Sequence, residues 1–340
     1  MSKREHNLSA NTDSKKNCKK HKSIILAPPI NNLDSLIEIA QTKIVYSNIN
    51  TSILHKILPQ LIELNSLIGM ENLKHSIFQQ IIYFLQNFYT KNKDEYLHTI
   101  ITGPPGSGKT TVAHIIGEIY KKMDILSPFG IFKIAKREDF VGEYLGQTAV
   151  KTKKLLLSCL GGVLFIDEAY SLGPGQKDKD SFSKEAIDTL NVFLSENKDM
   201  FCCIIAGYEE ELKKCFFAVN PGLERRFQWV HRIGEYTSEN IADILLKMVQ
   251  DIKWITSVSR CDFILLIDDN KHLFKNFGGD VENLLTKAKM SHAVRVFSLE
   301  EHHKFILTIE DFLDAINTIK KQRLNQQEEI NNISLLQMYT

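Results

Sequence analysis

Short apolar runs alternate with longer stretches of helical spacing through the middle of the chain. The runs are LHTIIT (97–102), GIFKIA (130–135), GVLFI (162–166), FCCIIA (201–206) and WVHRI (229–233). Nearly continuous apolar runs of this length are typical of strands buried on both faces, and parallel strands need long crossover connections between them. The pattern therefore predicts an α/β fold over residues 65–236, with a parallel sheet covered by helices.

Helical spacing marks the segments on either side of this region. Before it, apolar residues recur every three or four positions, at Leu33, Leu36, Ile37, Ala40, Ile53, Leu54, Ile57, Leu58 and Leu61. After it, Thr237 or Ser238 is expected to cap a helix over ENIADILLKMV, and Thr308 and Asp311 have the capping-box spacing before a second helical stretch. We predict a helical N-terminal segment at 31–64 and a small all-helical domain at 237–325.

Positive charge is concentrated at the start of the chain. The 340 residues have a net charge of +1, whereas the first 22 residues carry seven basic and two acidic side chains. Clustered lysines with few apolar residues predict a basic disordered tail at 1–30, which is either solvated or in contact with an anionic partner such as nucleic acid. The glutamine- and asparagine-rich far end predicts a C-terminal tail at 326–340, as a helix extension or a frayed end.

The sequence has no pattern typical of a membrane span, a secretory signal or a cysteine pair. It has no apolar run near the roughly 20 residues that span a bilayer, and its first residues lack the apolar middle of a secretory signal. We therefore expect an intracellular, cytoplasmic protein without a membrane partner. The six cysteines form no CxxC pair, and adjacent Cys202 and Cys203 are predicted to be structural thiols on opposite faces of a strand.

The strongest chemical signal is GPPGSGKT (103–110), which follows an apolar run and precedes the helical pattern TVAHIIGEIY. It fits G-x-x-x-x-G-K-[ST], in which glycines let backbone N–H groups turn inward around a phosphate and the next helix presents its positive end. Lys109 is expected to reach the β- and γ-phosphates, and the Thr110 hydroxyl to coordinate Mg²⁺. The predicted nucleotide-binding residues here are Gly103, Pro104, Pro105, Gly106, Ser107, Gly108, Lys109, Thr110 and Thr111.

A second signal is the stretch GGVLFIDEAY, in which a buried strand leads directly to Asp167 and Glu168. Two carboxylates at the carboxyl end of a central strand lie where open α/β sheets bind ligands. Asp167 is expected to hold Mg²⁺, directly or through water, and Glu168 to orient and polarise the attacking water. The alternative is an acidic strand end without a catalytic role.

A third signal is NPGLERRF (220–227), which places Arg225 and Arg226 after the fourth predicted strand. Arginines spread the negative charge of a phosphoryl-transfer transition state, and an arginine supplied by a neighbouring subunit makes hydrolysis depend on assembly. The alternative is a surface basic pair or a salt bridge to the acidic run at 209–211. Spacing alone does not decide between the two.

Together these stretches resemble an AAA+ ATPase, and more narrowly the branch that contains stage V sporulation protein K and red-type Rubisco activase. The resemblance covers residues 63 to 320 and is strong as far as 236. It implies an AAA+ P-loop NTPase domain followed by a helical lid at 237–325. The stretches that carry it are LIGMENLK (67–74), GPPGSGKT (103–110), REDFVGEYLGQTAVKTK (137–153), VLFIDEAYSL (163–172), IIAGYEEEL (204–212) and NPGLERRF (220–227).

The resemblance also implies roles for residues that the local pattern leaves open. Ile68 and Gly69 match the linker that lies against adenine in this family. Arg226 matches the arginine that acts across the subunit interface, with Arg225 as the second choice.

The loop DFVGEYLGQTA (139–149) receives its interpretation from the same resemblance. Tyr144, Leu145 and Gly146 match the aromatic-hydrophobic-glycine pore loop that lines the axial channel of a hexameric ring and grips a polypeptide. Packing of Tyr144 into a subunit interface is the alternative.

Two positions depart from the wider family. The fourth predicted strand ends in Gly207 and Tyr208, where many AAA+ proteins have an asparagine or threonine that senses the γ-phosphate. In the lid, Asp280 and Glu282 occupy the region where relatives usually carry an arginine. We therefore expect a lid without a basic second sensor.

The leading hypothesis is an ATPase with ATP and Mg²⁺ as cofactors, which forms a homo-oligomeric hexameric ring and remodels a protein client. One alternative is a nucleic-acid-associated ATPase of the clamp-loader or initiator type, which would use the basic tail on phosphates. The slightly acidic body and the lack of a helix-turn-helix or zinc-finger signature weigh against it. A further alternative is an ATP-gated scaffold with little turnover.

Overall fold

The computed structural model describes residues 25–91, 95–144, 146–174 and 181–338. Most of the predicted basic tail (1–24) and Leu145 of the predicted pore loop lie outside these ranges.

Within the described residues, five parallel strands form one sheet. They are β1 (Thr99–Thr102), β2 (Phe132–Ala135), β3 (Val163–Ile166), β4 (Cys202–Gly207) and β5 (Trp229–Arg232). Their order across the sheet is β2-β3-β4-β1-β5, so β4 lies between the strands that lead to the two strongest sequence motifs. All five predicted strands are confirmed, and their carboxyl ends meet along one edge.

Helices cover both faces of this sheet, as predicted. In the described part of the chain up to residue 224 they are α1 (Leu33–Gln41), α2 (Thr51–Asn65), α3 (Glu71–Leu85), α4 (Phe88–Lys91), α5 (Lys109–Lys122), α6 (Arg137–Phe140), α7 (Gln147–Ser158), α8 (Ser181–Glu196), α9 (Glu209–Glu211) and α10 (Pro221–Glu224). One face packs against α1, α2, α3 and α5, and the other against α7 and α8. Cys202 belongs to the first apolar cluster and Cys203 to the second, which confirms that they point to opposite faces.

The N-terminal segment is helical, with α1 and α2 close to the predicted bounds. The side chains of Asn32 and Asn50 cap the two helices by accepting hydrogen bonds from backbone N–H groups. The prediction of a disordered tail as far as residue 30 is wrong for residues 25–30. The Ala27 N–H donates to Asn48 Oδ1 over 2.9 Å, and Ile30 packs against the apolar cluster. Unlike the first 22 residues, this segment has no charged side chain, so such contacts can hold it in place.

A buried polar chain fastens α3 to the edge strand β5. His231 Nδ1 lies 2.9 Å from Ser76 Oγ, and its Nε2 lies 3.0 Å from Gln80 Oε1. The Gln80 amide in turn donates to the Tyr120 hydroxyl on α5 over 2.6 Å. Burial lowers the pKa of His231 to about 4, so its ring is neutral at pH 7. The link fixes the helix that begins directly after Ile68 and Gly69.

The C-terminal region is the predicted helical lid, with one addition. It contains α11 (Ser238–Asp251), α12 (Arg260–Asp268), α13 (Gly278–Val296) and α14 (Ile309–Met338). Thr237 caps α11 as expected. The addition is a parallel pair of two-residue strands, β6 (Ile255–Thr256) and β7 (Ile306–Leu307), which are too short to produce an alternating pattern. The predicted C-terminal tail is a helix extension as far as Met338.

A buried ion pair joins α13 to the start of α14. Arg295 donates to both carboxylate oxygens of Asp311 over 2.8 and 2.9 Å, and the Thr308 N–H donates to Asp311 Oδ2 over 2.8 Å. His292 Nδ1 lies 3.1 Å from the same oxygen. Burial raises the pKa of Asp311, but the hydrogen bonds from Arg295, Thr308 and His292 outweigh it and hold the pKa below its usual value.

We expect Asp311→Asn to lower the free energy of unfolding by about 3 kcal/mol at pH 7, because it leaves Arg295 half-buried without its partner. Since the folded-state pKa of Asp311 lies below the unfolded value, this stabilisation is present above the unfolded pKa of about 3.9 and is lost as the pH falls through the folded pKa. Urea denaturation at pH 7 and at decreasing pH measures it. Asp314→Asn, on the exposed side of the same helix, is the control; an equal effect of both variants would contradict the prediction.

Candidate nucleotide-binding site

The predicted phosphate loop connects β1 to α5. Gly106 and Gly108 have φ angles of +67° and +86°, in the left-handed region that favours glycine. The Ser107 hydroxyl donates to the Pro104 carbonyl over 2.7 Å, and the Tyr236 hydroxyl donates to the Ser107 carbonyl over 3.2 Å. The loop therefore has the tight, backbone-lined shape that a phosphate requires, directly before the N-terminus of a 14-residue helix.

Lys109 and Thr110 open α5 at the edge of this loop. The Lys109 amino group donates to the carbonyls of Gly103 and Pro104 over 3.2 and 2.8 Å. Burial lowers the pKa of Lys109, and the nearby charges of Asp167 and Glu168 oppose that shift. Thr110 is exposed in the first turn. The predicted lysine therefore lies near enough to the predicted carboxylate pair for their charges to affect its pKa.

Asp167 and Glu168 follow β3 in a tight turn. Glu168 has φ +49° and ψ +45°, a left-handed conformation that costs a residue with a Cβ about 1 kcal/mol and is often found at functional sites. Its N–H donates to Asp167 Oδ1 over 3.0 Å, and its carbonyl accepts from the Ser171 N–H over 2.7 Å. This turn leaves the Glu168 side chain exposed at the same sheet edge as the phosphate loop.

Two tyrosines lie near the predicted catalytic groups: Tyr170 near Glu168 and Tyr208 near Lys109. The ring centres of Tyr170 and Tyr208 are 6.0 Å apart, and the Lys109 amino group lies 5.9 Å from the centre of the Tyr208 ring. Burial, together with the charge of Glu168 and a hydrogen bond to it, raises the pKa of Tyr170 to about 12. Tyr208, at the place where the wider family has a polar sensor, is therefore within cation-π distance of the phosphate-loop lysine.

The predicted adenine linker lies between the sheet domain and the lid. Gly69 has φ +66°, and a Cβ there would be 3.2 Å from the Tyr236 ring and 3.3 Å from Asn240. The neighbouring Met70 packs against the apolar clusters of both domains. A Cβ on Gly108 would be 3.4 Å from Met70 Cε, so the structure brings the linker next to the phosphate loop.

The lid meets the phosphate loop through backbone atoms. A Cβ on Gly106 would lie 2.4 Å from the Asn276 carbonyl oxygen, and one on Gly278 would lie 2.7 Å from the Gly106 carbonyl oxygen. The prediction that the lid lacks a basic second sensor concerns the same region. Arg323 of α14 donates to Asp280 Oδ1 over 3.2 Å and to the Leu273 carbonyl over 2.7 Å, so its charge is paired inside the lid.

The two candidate arginines differ in their surroundings. Arg226 is half-buried and donates from Nε to Ser195 Oγ over 2.6 Å and from Nη1 to the Gly222 carbonyl. Arg225 is exposed, and within the described residues its side chain makes no hydrogen bond or ion pair. Glu209 pairs with Arg232 and Lys213, and Glu210 pairs with Lys214. Among the described residues, no salt bridge joins the acidic run to the arginine pair.

The predicted pore loop connects α6 to α7. Tyr144 is 67% exposed, and its carbonyl accepts from the Gln147 N–H over 3.2 Å. Gly146 has φ +83°, and a Cβ there would meet no atom within 4 Å. The described part of the loop therefore presents an aromatic side chain to the surface, while Leu145 falls outside the described residues.

These residues fit a nucleotide with a divalent cation. The phosphate loop has two glycines with positive φ, its lysine is close to a carboxylate pair, and Thr110 and Asp167 supply the oxygen donors that Mg²⁺ prefers. The roles of Tyr236 and Tyr208 at this site have no local sequence signal. Tyr236 meets Ser107, and Tyr208 lies over Lys109, only because the fold brings residues remote in sequence together.

Comparison with known proteins identifies the family to which the chain is related. The sequence model of the ATPase family associated with various cellular activities (AAA) matches residues 99–233. A cfxQ-like protein of Acanthamoeba polyphaga mimivirus is 40% identical over 88% of this chain and 74% of its own length. Stage V sporulation protein K of Bacillus subtilis is 34% identical over 78% of this chain and 82% of its own length. The chloroplastic ribulose bisphosphate carboxylase/oxygenase activase of Cyanidioschyzon merolae is 38% identical over 59% of this chain and 66% of its own length.

Solved structures support the fold. A RuvB variant from Thermotoga maritima superimposes with a TM-score of 0.52 at 17% identity, over 75% of this chain and 72% of that one. In the described ranges, every helix is too short or too polar to cross a membrane.

Proposed function

Because the chain belongs to the AAA family of ATPases, in the branch of stage V sporulation protein K and the CfxQ-like proteins, we propose that it hydrolyses ATP to remodel a protein client. One observation carries the proposal: the phosphate loop and the Asp167–Glu168 turn lie at one edge of the sheet, close enough for their charges to interact. This arrangement supports a role for Lys109 and the two carboxylates in phosphoryl transfer, with the Thr110 hydroxyl next to Lys109 in sequence.

Each residue has a role in the proposed reaction. The backbone N–H groups of the phosphate loop and Lys109 bind the phosphates, and Thr110 and Asp167 would hold Mg²⁺. When bound, Mg²⁺ neutralises charge that develops on the phosphate oxygens. Glu168 orients the attacking water and polarises it. Ile68 and Gly69 would hold the adenine, with Gly69 next to the Tyr236 ring.

The proposed assembly is a homo-hexameric ring, in which Arg226 reaches the γ-phosphate bound to the neighbouring subunit. Its two contacts use two of the five N–H donors of the guanidinium, which leaves three to meet phosphate oxygens. A guanidinium held in place before the reaction loses little entropy when it binds, as a transition-state contact requires. Exposed Arg225 is the second choice.

The proposed client is a protein that Tyr144 grips in the axial channel. Tyr144 is exposed on a loop with glycine at both ends, which supports this proposal. One relative is named as the activase of an enzyme, and this name also supports a protein client. The proposed location is the cytoplasm.

We expect Tyr144→Ala to keep ATP turnover and to lose at least tenfold in turnover of the client, because the truncated loop has no aromatic surface to hold a chain. The client is first isolated by capture on the Glu168→Gln protein in ATP and identified by mass spectrometry. Tyr144→Phe, which keeps the ring, is the matched control and should retain activity. Full remodelling by Tyr144→Ala would exclude the pore-loop role.

Turnover of the purified protein separates this proposal from its alternatives. Mg²⁺-dependent ATP hydrolysis that does not respond to DNA supports a protein remodeller. Turnover stimulated by DNA, with salt-sensitive binding lost on removal of residues 1–22, would favour the nucleic-acid-associated alternative. ATP binding without turnover would favour the scaffold.

A further inference from the structure

The loop that carries Tyr144 is closed at its base by side chains of α7. Lys151 Nζ donates to the Glu138 and Val141 carbonyls over 2.6 and 2.9 Å, and the Thr152 hydroxyl donates to the Phe140 carbonyl over 3.1 Å. These contacts satisfy carbonyl groups at the end of α6 that have no helical partner. The helices on either side of the loop are thereby locked together, so a displacement of α6 displaces the loop.

Arg137, the first residue of α6, joins this unit to the carboxylate turn. Its Nη1 donates to the Ser171 carbonyl over 2.7 Å and lies 3.5 Å from the Gly173 carbonyl oxygen. Ser171 is in turn bonded through its N–H to the Glu168 carbonyl over 2.7 Å. One side chain therefore lies between the backbone of the catalytic carboxylate and the base of the Tyr144 loop.

The same guanidinium also reaches α8. Arg137 Nη1 donates to the fully buried Ser183 hydroxyl over 2.8 Å, in the first turn of that helix. Near its other end, α8 carries Ser195, which accepts the hydrogen bond from Arg226. Arg137 thus contacts both the turn of Glu168 and the helix that supports the proposed trans-acting arginine.

A cavity of 840 Å³ separates the two structures that Arg137 connects. Asp167, Glu168 and Ser171 line one side, and residues 136–138 and 141–143 line the other. Beneath this space, Phe140 of α6 packs in the same apolar cluster as Ala169 and Leu172, which follow the carboxylate turn. The hydrogen bonds of Arg137 add a direct polar link on the cavity side of this packing.

From this geometry, and resting on the proposed ATPase function, we propose that Arg137 is a positioning residue that transmits the state of the Glu168 turn to the loop of Tyr144. It makes no contact with nucleotide in this role. Rearrangement of the left-handed Glu168 backbone shifts Ser171, and the guanidinium carries the shift to α6. All three contacts are made by Nη1, and the planar, delocalised guanidinium holds that nitrogen in a more fixed orientation than a flexible lysine ammonium has.

The test is hydrogen–deuterium exchange of the full-length protein in a Glu168→Gln background, where bound ATP persists. We expect ATP to change the exchange of the amides in α6 and in the first two turns of α7. Arg137→Gln should keep ATP binding, measured with a fluorescent ATP analogue, and should reduce this ATP-dependent difference by about fivefold or more, the lower end of typical coupling between sites. Arg137→Lys should be intermediate.

The controls distinguish coupling from mere support. If Arg137 only supported the structure, its replacement would raise exchange equally with and without ATP and leave the ATP-dependent difference intact. That result would overturn the proposal. So would the absence of any ATP-dependent change in the parent protein. Lys154→Gln, an exposed charge on α7, should change neither quantity. Should Arg137→Gln fold poorly, Arg137→Lys, which keeps the positive charge, becomes the test variant and must still reduce the difference. Failure of the parent protein to bind ATP would refute the proposed function instead.

Discussion

Replacement of Glu168 by glutamine is expected to reduce ATP turnover by about 10²–10⁴-fold while ATP binding persists. The amide has nearly the shape of the carboxylate, so the left-handed turn, the bond to Asp167 and the phosphate loop stay in place. What is lost is the negative charge that polarises the attacking water. Binding of a fluorescent ATP analogue and phosphate release, measured on the same preparation, test the two halves of this expectation.

Glu138→Gln is the matched control for this variant. Glu138 lines the same cavity as Glu168, but its exposed carboxylate is outside the turn that follows β3. It removes the same charge from the same cavity and should keep wild-type turnover. Undiminished turnover by Glu168→Gln, or an equal loss in both variants, would contradict the role assigned to Glu168.

Arg226→Ala is expected to lower turnover by about 10³-fold in the assembled protein, the effect typical of a trans-acting arginine. The loss should appear in kcat, because the guanidinium acts on charge that develops in the transition state. Ser195→Ala removes the hydrogen bond that orients Arg226 and should cause a smaller loss in the same direction. Arg225→Ala should have little effect; the reverse ranking of the two arginine variants would transfer the role to Arg225.

A mixing experiment tests whether the arginine acts between subunits. Arg226→Ala subunits keep Glu168, and Glu168→Gln subunits keep Arg226, so neither protein alone has a complete site. In a mixed ring, a site with Glu168 next to a subunit with Arg226 is complete, and mixing should restore part of the turnover. Equal inactivity before and after mixing, with mixed assemblies verified by mass, would mean that Arg226 acts within its own subunit.

Much of the fold was predictable because its signals are local. Each of the five strands is a short apolar run, and GPPGSGKT combines the glycines, lysine and threonine that phosphate binding requires within eight residues. The resemblance supplied the linker and loop assignments. β6 and β7 escaped detection, because two-residue strands have no periodicity.

The parts of the site that were not predicted depend on partners far apart in sequence. Tyr236 binds the Ser107 carbonyl across 129 positions, and Arg137 binds Ser171 and Ser183 across 34 and 46. Nothing in the residues near Arg137 distinguishes a guanidinium that connects two elements from one that faces solvent. The surroundings of Arg226 depend in the same way on Ser195, 31 positions earlier.

The backbone of Gly106 is in contact with the start of α13, so the phosphate loop is a point about which the lid can tilt. The 19 residues of α13 extend about 28 Å from this point, so a tilt of about 10° there moves its far end by about 5 Å. At that end lies Phe297, which is 92% exposed, one turn beyond exposed Val294. A small tilt of the lid at the phosphate loop would therefore give a larger displacement of the exposed apolar side chains at the far end of α13.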